Sequence, residues 1–399
     1  MAMAAAASVR SSRLLRPASA SAARAGAGRG RAAGHARGAA RLAAPWSWRG
    51  EDLGAMDWTH QLTPEDVAEI RGAVAHARGT KLAEITSENA HETFPLPEVR
   101  KRMRVVKEAL VEGVGVALVR GLPVESMSDA DAALAYWGLC AHLGDVVAVP
   151  QNAKGHLLGH VCDIGGDASD PATRIYTTAK AQPWHTDSAD IVGLLCLQTA
   201  EKGGDSGVVS SAAVYEELAR RRPELAEALC DEVVWDRKGE VPDGEAPFFG
   251  VPVFTPSDDG RVVSMHDRSF VDAAQRRFTA EDGVPRLTRL QEEALDLVDA
   301  LADELQLTMR LAPGDIQLLH SHTTWHMRTA YADAPRPLRA GGRRRRHLLR
   351  LWLSAVGPTA WSLPSSFARR YGCVSPGVVR GGIRAGFQTA PYAPLTPEG

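Results

Sequence analysis

From Gly144 onward the chain is broken into short runs, apolar or alternating, each closed by Gly, Pro or Asp. GHLLGHVCD, RIYTT, IVGLLCL, GVVSS, RVVSMH, DIQLLHSHT and HLLRLWLS follow one another in this way. Many short strands with turn residues between them suggest a sandwich or a jelly roll. Two stretches with helical periodicity interrupt the pattern, Ser211 to Leu229 and Thr288 to Leu305. Before Gly144, helices lead. LTPEDVAEIRGAVAHA places Thr63 at a cap, Pro64 in the first turn and Asp66 at the capping-box position. Pro97 to Gly113 and Ser128 to Gly144 read as two further helices, with a short strand in GVALVRGLP (Gly115 to Pro123) between them.

The 399 residues, 44% of them hydrophobic, allow an ample core. Charge is distributed unevenly. Residues 1–50 hold nine Arg and no acid, and the remainder carries 37 Lys and Arg against 48 Asp and Glu. So acidic a body is a poor partner for nucleic acid. The leader is rich in Ala, Arg, Ser and Gly, the composition of an organelle transit peptide. Residues 1–50 are therefore expected to be disordered and to direct the protein to a mitochondrion or plastid, with a folded domain over 56–390; without such delivery the protein would be cytoplasmic. The five cysteines are scattered and lack CxxC spacing, which argues against a zinc ribbon or a disulfide framework. No apolar run reaches the roughly 18 residues that would suit a membrane span. Homo-oligomerisation is left open.

QPWHTDSAD (Gln182 to Asp190) sets His185 two residues before Asp187. On a strand, such residues share a face, roughly 6 to 7 Å apart. Two His and a carboxylate on one face of an octahedron bind Fe(II) and leave three positions open. Alone, the pair is as readily a turn histidine and a helix-capping aspartate. GDIQLLHSHTTWHMRTAYAD (Gly314 to Asp333) offers a third ligand in His320, His322 or His326, which have the same strand parity. RHLLRLWLS then puts Arg346, Leu348, Arg350 and Trp352 on one face. Two arginines facing a barrel interior are costly unless anions pair with them, and Arg suits a carboxylate. In the alternative register they face solvent, and His347, Leu349 and Leu351 turn inward.

In this order, WHTD, GGDS (Gly203 to Ser206), WHMRTAYAD and RHLLRLWLS resemble the TauD/TfdA-like family of Fe(II)- and 2-oxoglutarate-dependent dioxygenases. The resemblance runs from about Trp58 to Gly386. It implies a chain mainly β with flanking helices, folded as a double-stranded β-helix (jelly roll). It implies Fe(II) held by His185, Asp187 and His326, because the family ligand precedes an x-Arg-Thr-Ala-aromatic stretch. Ser206 takes the position of a hydroxyl that contacts 2-oxoglutarate. Arg346 and Arg350 match an Arg-x-x-x-Arg pattern, with Arg346 assigned the salt bridge to the co-substrate; Arg328 and Arg174 are the next candidates. The stretch from His326 to Arg346 is longer than the family spacing, owing to PRPLRAGGRRRR. The implied activity uses O2 to hydroxylate a small organic acid or amino-acid derivative, releasing succinate and CO2. The alternative is a jelly roll that binds a small molecule without turnover.

Overall fold

Capping chemistry sets the helical first third. In the computed structural model, which describes residues 45–397 except 55, 168–172, 258, 335–344, 359 and 386–389, helix α1 (Pro64–Ala77) starts on a reciprocal Thr63–Asp66 capping box. Helices α2 (Val99–Val111) and α3 (Asp129–Ala141) follow, α3 capped by the Ser128 hydroxyl. From Ala132 to Ala141 every residue of α3 is buried. It reads as apolar all round because it is covered on every side. Its Tyr136 lies so close to Gly193 that a Cβ there would stand 2.5 Å from the phenol oxygen.

Two sheets follow. The larger joins, in spatial order, β1 (Thr59–Gln61), β2 (Val116–Arg120), β11 (Ile316–His320), β6 (Ile191–Gln198), β13 (His347–Ala355) and β3 (Val146–Ala148). Strand β4 (Leu158–Val161) also pairs with β13. The smaller joins β10 (Leu307–Met309), β7 (Ser206–Ser210), β12 (Thr324–Arg328) and β5 (Gln182–His185). Val208 of the smaller sheet shares one core cluster with Val192, Leu319 and Trp352 of the larger. The architecture is the double-stranded β-helix, with helices outside it. Neighbours in each sheet come from distant parts of the chain, so the site's residues can be far apart in sequence and adjacent in space.

Several expected elements differ. Ser211 to Leu229 is two helices, α4 (Ser211–Arg221) and α5 (Pro223–Ala228). The Pro223 ring excludes helical geometry at the residue before it, and Arg222 sits at φ −145°, ψ 75°. RIYTT is a 3-10 turn over Ile175–Thr177, because the Thr177 and Thr178 hydroxyls bond back to Arg174 and Ile175 carbonyls. The antiparallel hairpin β8 (Glu232–Asp236) with β9 (Phe248–Pro252), and helix α6 (Arg268–Arg277), were not marked by the alternating runs. Helix α7 (Arg289–Leu305) forms as its Thr288–Gln291 capping box dictates.

Packed chain also begins before residue 56. Trp48 is buried, with its indole N–H donated to the Val114 carbonyl, and Arg49 pairs with Glu217. The leader up to residue 44 lies outside the described residues. Among those described, no helix is long and apolar enough to cross a membrane.

Candidate active site

The two histidines meet because β5 and β12 are antiparallel neighbours with His185 directly opposite His326. Their rings lie 4.0 Å apart, centroid to centroid. Asp187 is not on the strand, as strand parity alone would have it. The strand ends at His185, and the Thr186 amide turns away to bond the His266 carbonyl. The turn brings Asp187 back to the same point: one ligand atom from each of His185, Asp187 and His326 lies within 4.8 Å of the others, and all three residues are buried.

The details suit a divalent cation. His185 Nδ1 lies 2.9 Å from the Pro183 carbonyl and donates to it, so Nε2 is the ring nitrogen left to hold a metal ion. Burial first, and then the neighbouring His185, drive the His326 pKa down to about 3, so that ring is a neutral ligand. Burial opposes the Asp187 charge, yet Arg350, His326 and His185 outweigh it and the pKa falls. Asp187 Oδ2 is buried without a hydrogen-bond partner. A buried carboxylate oxygen without a hydrogen bond, beside two imidazoles, is costly and is satisfied by a metal ion. The donor set fits Fe(II).

His320 and His322 are elsewhere. The three histidines are not on one strand, because a turn at 321–323 separates β11 from β12 and the two strands join different sheets. His322 Nε2 lies 2.8 Å from Asp190 Oδ1, and His320 Nδ1 contacts the Thr323 hydroxyl. Asp190, with no exposed surface, also accepts from Arg380 and from the Ala355 amide. This buried knot anchors the turn that carries Asp187.

The face expected of RHLLRLWLS is the one observed: Arg346, Leu348, Arg350 and Trp352 all line one cavity with the three candidate ligands and Ser206. Leu349 and Leu351 point to the opposite side, in the main core. The cavity encloses about 1190 Å³, its open mouth included. The two arginines differ in their commitments. Arg350 Nε donates to Gln151 Oε1 at 2.7 Å, Nη1 lies 3.5 Å from Asp187 Oδ1, and the guanidinium stacks between Tyr176 and Trp352. Among the described residues, Arg346 Nη1 is buried without a partner, and its Nη2 reaches the Gly204 carbonyl at 3.5 Å.

A residue held in reserve by the sequence reading joins it. Arg328 stands opposite Ser206 in the β7–β12 ladder and donates to the Thr178 and Lys180 carbonyls. Its Nε and Nη1 are buried and have no hydrogen-bond partner among the described residues. Arg328 and Arg346 both lie over the Tyr331 ring, 4.8 and 5.2 Å from its centroid. Burial, then the Arg346 charge, pull the Arg328 pKa down to about 10. Two buried guanidinium groups with three unspent N–H positions form a subsite for an anion. Arg174 is paired with Glu240 and lines another part of the cavity. Gln151 and Lys238 were not legible as site residues, and Tyr331 entered only as the aromatic closing the x-Arg-Thr-Ala-aromatic stretch.

Four likenesses, one to a family and three to known proteins, accompany this geometry. The model of the taurine catabolism dioxygenase TauD, TfdA family matches residues 78–352. The chain is 32% identical over 303 residues to the FR-33289 synthase of Streptomyces rubellomurinus (strain ATCC 31215), covering 75% of this chain and 86% of that one. It is 29% identical over 344 residues to the taurine hydroxylase-like protein SAT17 of Stachybotrys chartarum (strain CBS 109288 / IBT 7711), covering 83% and 84%. Among solved structures, an asparagine oxygenase in complex with Fe(II), 3-hydroxyasparagine and succinate superposes with a TM-score of 0.54 at 18% identity, over 74% of this chain and 93% of that one.

Proposed function

The chain belongs to the TauD, TfdA family of dioxygenases, and from that membership we propose how its own residues divide the work of an Fe(II)- and 2-oxoglutarate-dependent dioxygenase that oxidises a small organic acid or amino-acid derivative. His185, Asp187 and His326 hold the iron. Arg346 and Arg328 take the distal carboxylate of 2-oxoglutarate, and the Ser206 hydroxyl supports the same group. The observation that carries this reading is a pair of unmet needs in one cavity. An unpartnered carboxylate oxygen lies beside two imidazoles, and guanidinium groups with unpartnered N–H line the same cavity as Ser206.

When bound, the ion supplies the redox chemistry that side chains lack, coupling O2 reduction to decarboxylation of 2-oxoglutarate to succinate. The chain's part is geometry and exclusion of water. The Pro183 carbonyl fixes the His185 ring. Arg350 steadies Asp187 through Oδ1 and leaves Oδ2 for the ion. Leu194, Leu348 and Val161 give the cavity an apolar side that limits water near the reacting groups.

The test is anaerobic Fe(II) uptake, then succinate release on admitting O2. Wild-type protein should bind one iron per chain and release succinate. His185→Ala, Asp187→Ala and His326→Ala should each do neither. Full succinate release by any of the three overturns the ligand assignment.

The acid-free, Arg-rich leader supports delivery to a mitochondrion or plastid. A fluorescent protein carrying residues 1–50 should enter one of these organelles; a cytosolic signal refutes that reading.

A further inference from the structure

The cavity carries positive charge that the metal and co-substrate leave unused. Six cationic side chains line it, Arg174, Lys238, Arg328, Arg346, Arg350 and Arg370, against the carboxylates Asp187, Glu240 and Asp267. Divalent iron and the 2-oxoglutarate dianion cancel each other, so the lining stays positive by three charges with both in place. Arg328 and Arg346 belong to the co-substrate, and Arg350 sits on Asp187.

The surplus is concentrated where β8, β9, α6 and the short helix α8 (Ala368–Tyr371) meet. Two phenyl rings organise it. Arg174 and Lys238 both lie over Phe270, 5.4 and 4.1 Å from its centroid. Arg237 and Arg370 both lie over Phe249, at 4.9 and 5.8 Å. Of these four cations, Arg174 is paired with Glu240 and Arg237 with Glu245. Lys238 and Arg370 have no carboxylate within 4.0 Å among the described residues. Lys238 donates to the Ser269 hydroxyl, and Arg370 Nε to the Ser188 hydroxyl at 2.8 Å.

Arg370 is only 8% exposed. Burial foremost, opposed mainly by Glu240, brings its pKa down to about 10. A buried guanidinium without a counter-ion is a large cost unless a ligand supplies the anion. Lys238 is held at φ 48°, a conformation seldom taken by a residue with a side chain, and that places its ammonium over Phe270. Trp235, which lines the same part of the cavity, has a buried indole N–H without a partner. The donors therefore come from three different elements: β8, the turn after it, and α8. A planar carboxylate is satisfied by one arginine fork, whereas donors offered to one cavity by three separate elements suit a tetrahedral group with three oxygens.

We propose that Arg370 and Lys238, with the Trp235 indole, form a subsite for a dianionic phosphoryl or phosphonyl group on the substrate, whose apolar body lies between Phe249 and Phe270. The proposal rests on the oxygenase reading above, and two separate titrations keep the two apart. Phenylphosphonate is titrated calorimetrically into protein loaded with Fe(II) and 2-oxoglutarate without O2, and 2-oxoglutarate is titrated into each variant separately. The expected result is phenylphosphonate binding that weakens about tenfold or more in Lys238→Met and in Arg370→Leu, the loss of one charge-assisted hydrogen bond. Benzoate should bind about tenfold more weakly than phenylphosphonate to wild type, and 2-oxoglutarate affinity should be the same in all three proteins. Lys238 is half-buried, so Lys238→Met serves if Arg370→Leu fails to fold. The proposal is overturned if benzoate binds as tightly, if phenylphosphonate does not bind, or if its binding is lost in Arg346→Leu but kept in Lys238→Met. Failure of wild type to bind 2-oxoglutarate overturns instead the oxygenase reading.

Discussion

The cavity has two kinds of wall. One part is lined by strands: β5 and β12 bring His185 and His326 face to face, β7 carries Ser206, and β13 presents Leu348, Arg350 and Trp352, with Arg346 just before it. The other is lined by a hairpin, a turn and short helices, and there Lys238, Phe249 and Phe270 are joined by Arg370 from a segment far along the chain. A ladder fixes neighbours to within a residue, so the first wall can hold a metal and a small co-substrate in defined geometry. The second depends on packing between irregular segments, and it is where relatives on the same fold are free to differ in substrate. The comparison teaches that the chemistry and the choice of substrate are carried by separable parts of one cavity.

That separation can be broken at several points. The largest contrast lies among the histidines. His326→Ala should bring turnover to background, whereas His320→Ala, outside the cavity, should keep a measurable fraction. Succinate assays on both decide it, and full activity in His326→Ala with loss in His322→Ala would sink the assignment.

Next come the arginines. Arg346→Leu should raise the KM for 2-oxoglutarate by about tenfold or more, the worth of a charge-assisted hydrogen bond to a carboxylate. Arg346→Lys should rescue it poorly, since a point charge lacks the planar fork. Arg350→Leu should affect the substrate more than 2-oxoglutarate. A reversed pattern of KM values would exchange their roles.

A smaller effect is expected at Gly204, which sits at φ +76°; a Cβ there would stand 2.8 Å from Arg346 Nε. Gly204→Ala should raise the KM for 2-oxoglutarate severalfold, less than Arg346→Leu, and leave iron binding intact. An unchanged KM would show that Arg346 tolerates displacement and is not the clamp.

At the amino terminus the shorter of two deletions should have the smallest effect of all. Deleting residues 1–44 should leave the melting temperature and succinate release unchanged. Deleting 1–55 removes Trp48 and the Arg49–Glu217 pair and should destabilise the domain by about 3 kcal/mol or more, the usual cost of removing a buried Trp side chain. Equal melting temperatures for the two deletions would contradict the packed role of residues 45–53.

Much of the strand-built wall was legible in the sequence, because side chains alternate along a strand. Parity grouped Arg346, Leu348, Arg350 and Trp352 on one side of β13 but left open whether that side met the cavity or solvent; the family resemblance favoured the cavity, which all four line. Parity failed wherever the chain left the ladder. Asp187 reaches its place through a turn beyond β5, and of the three histidines of Gly314 to Asp333, His320 and His326 fall in different sheets with His322 in the turn between them. His326 was singled out by its resemblance to a family motif and not by spacing. Arg328 was only a fallback, since nothing in one strand shows that Tyr331 and Arg346 will lie beside it. The hairpin, α6 and the C-terminal arginines were illegible as a site because their meeting depends on packing between segments with no shared periodicity.

The most direct test is a crystal structure of the protein with Fe(II) and 2-oxoglutarate grown without O2. The account predicts one iron bonded to His185, Asp187 and His326, with the distal carboxylate of 2-oxoglutarate against Arg346 and Arg328. Iron at His320 or His322, or that carboxylate on Arg350 with Arg346 and Arg328 left bare, would contradict it.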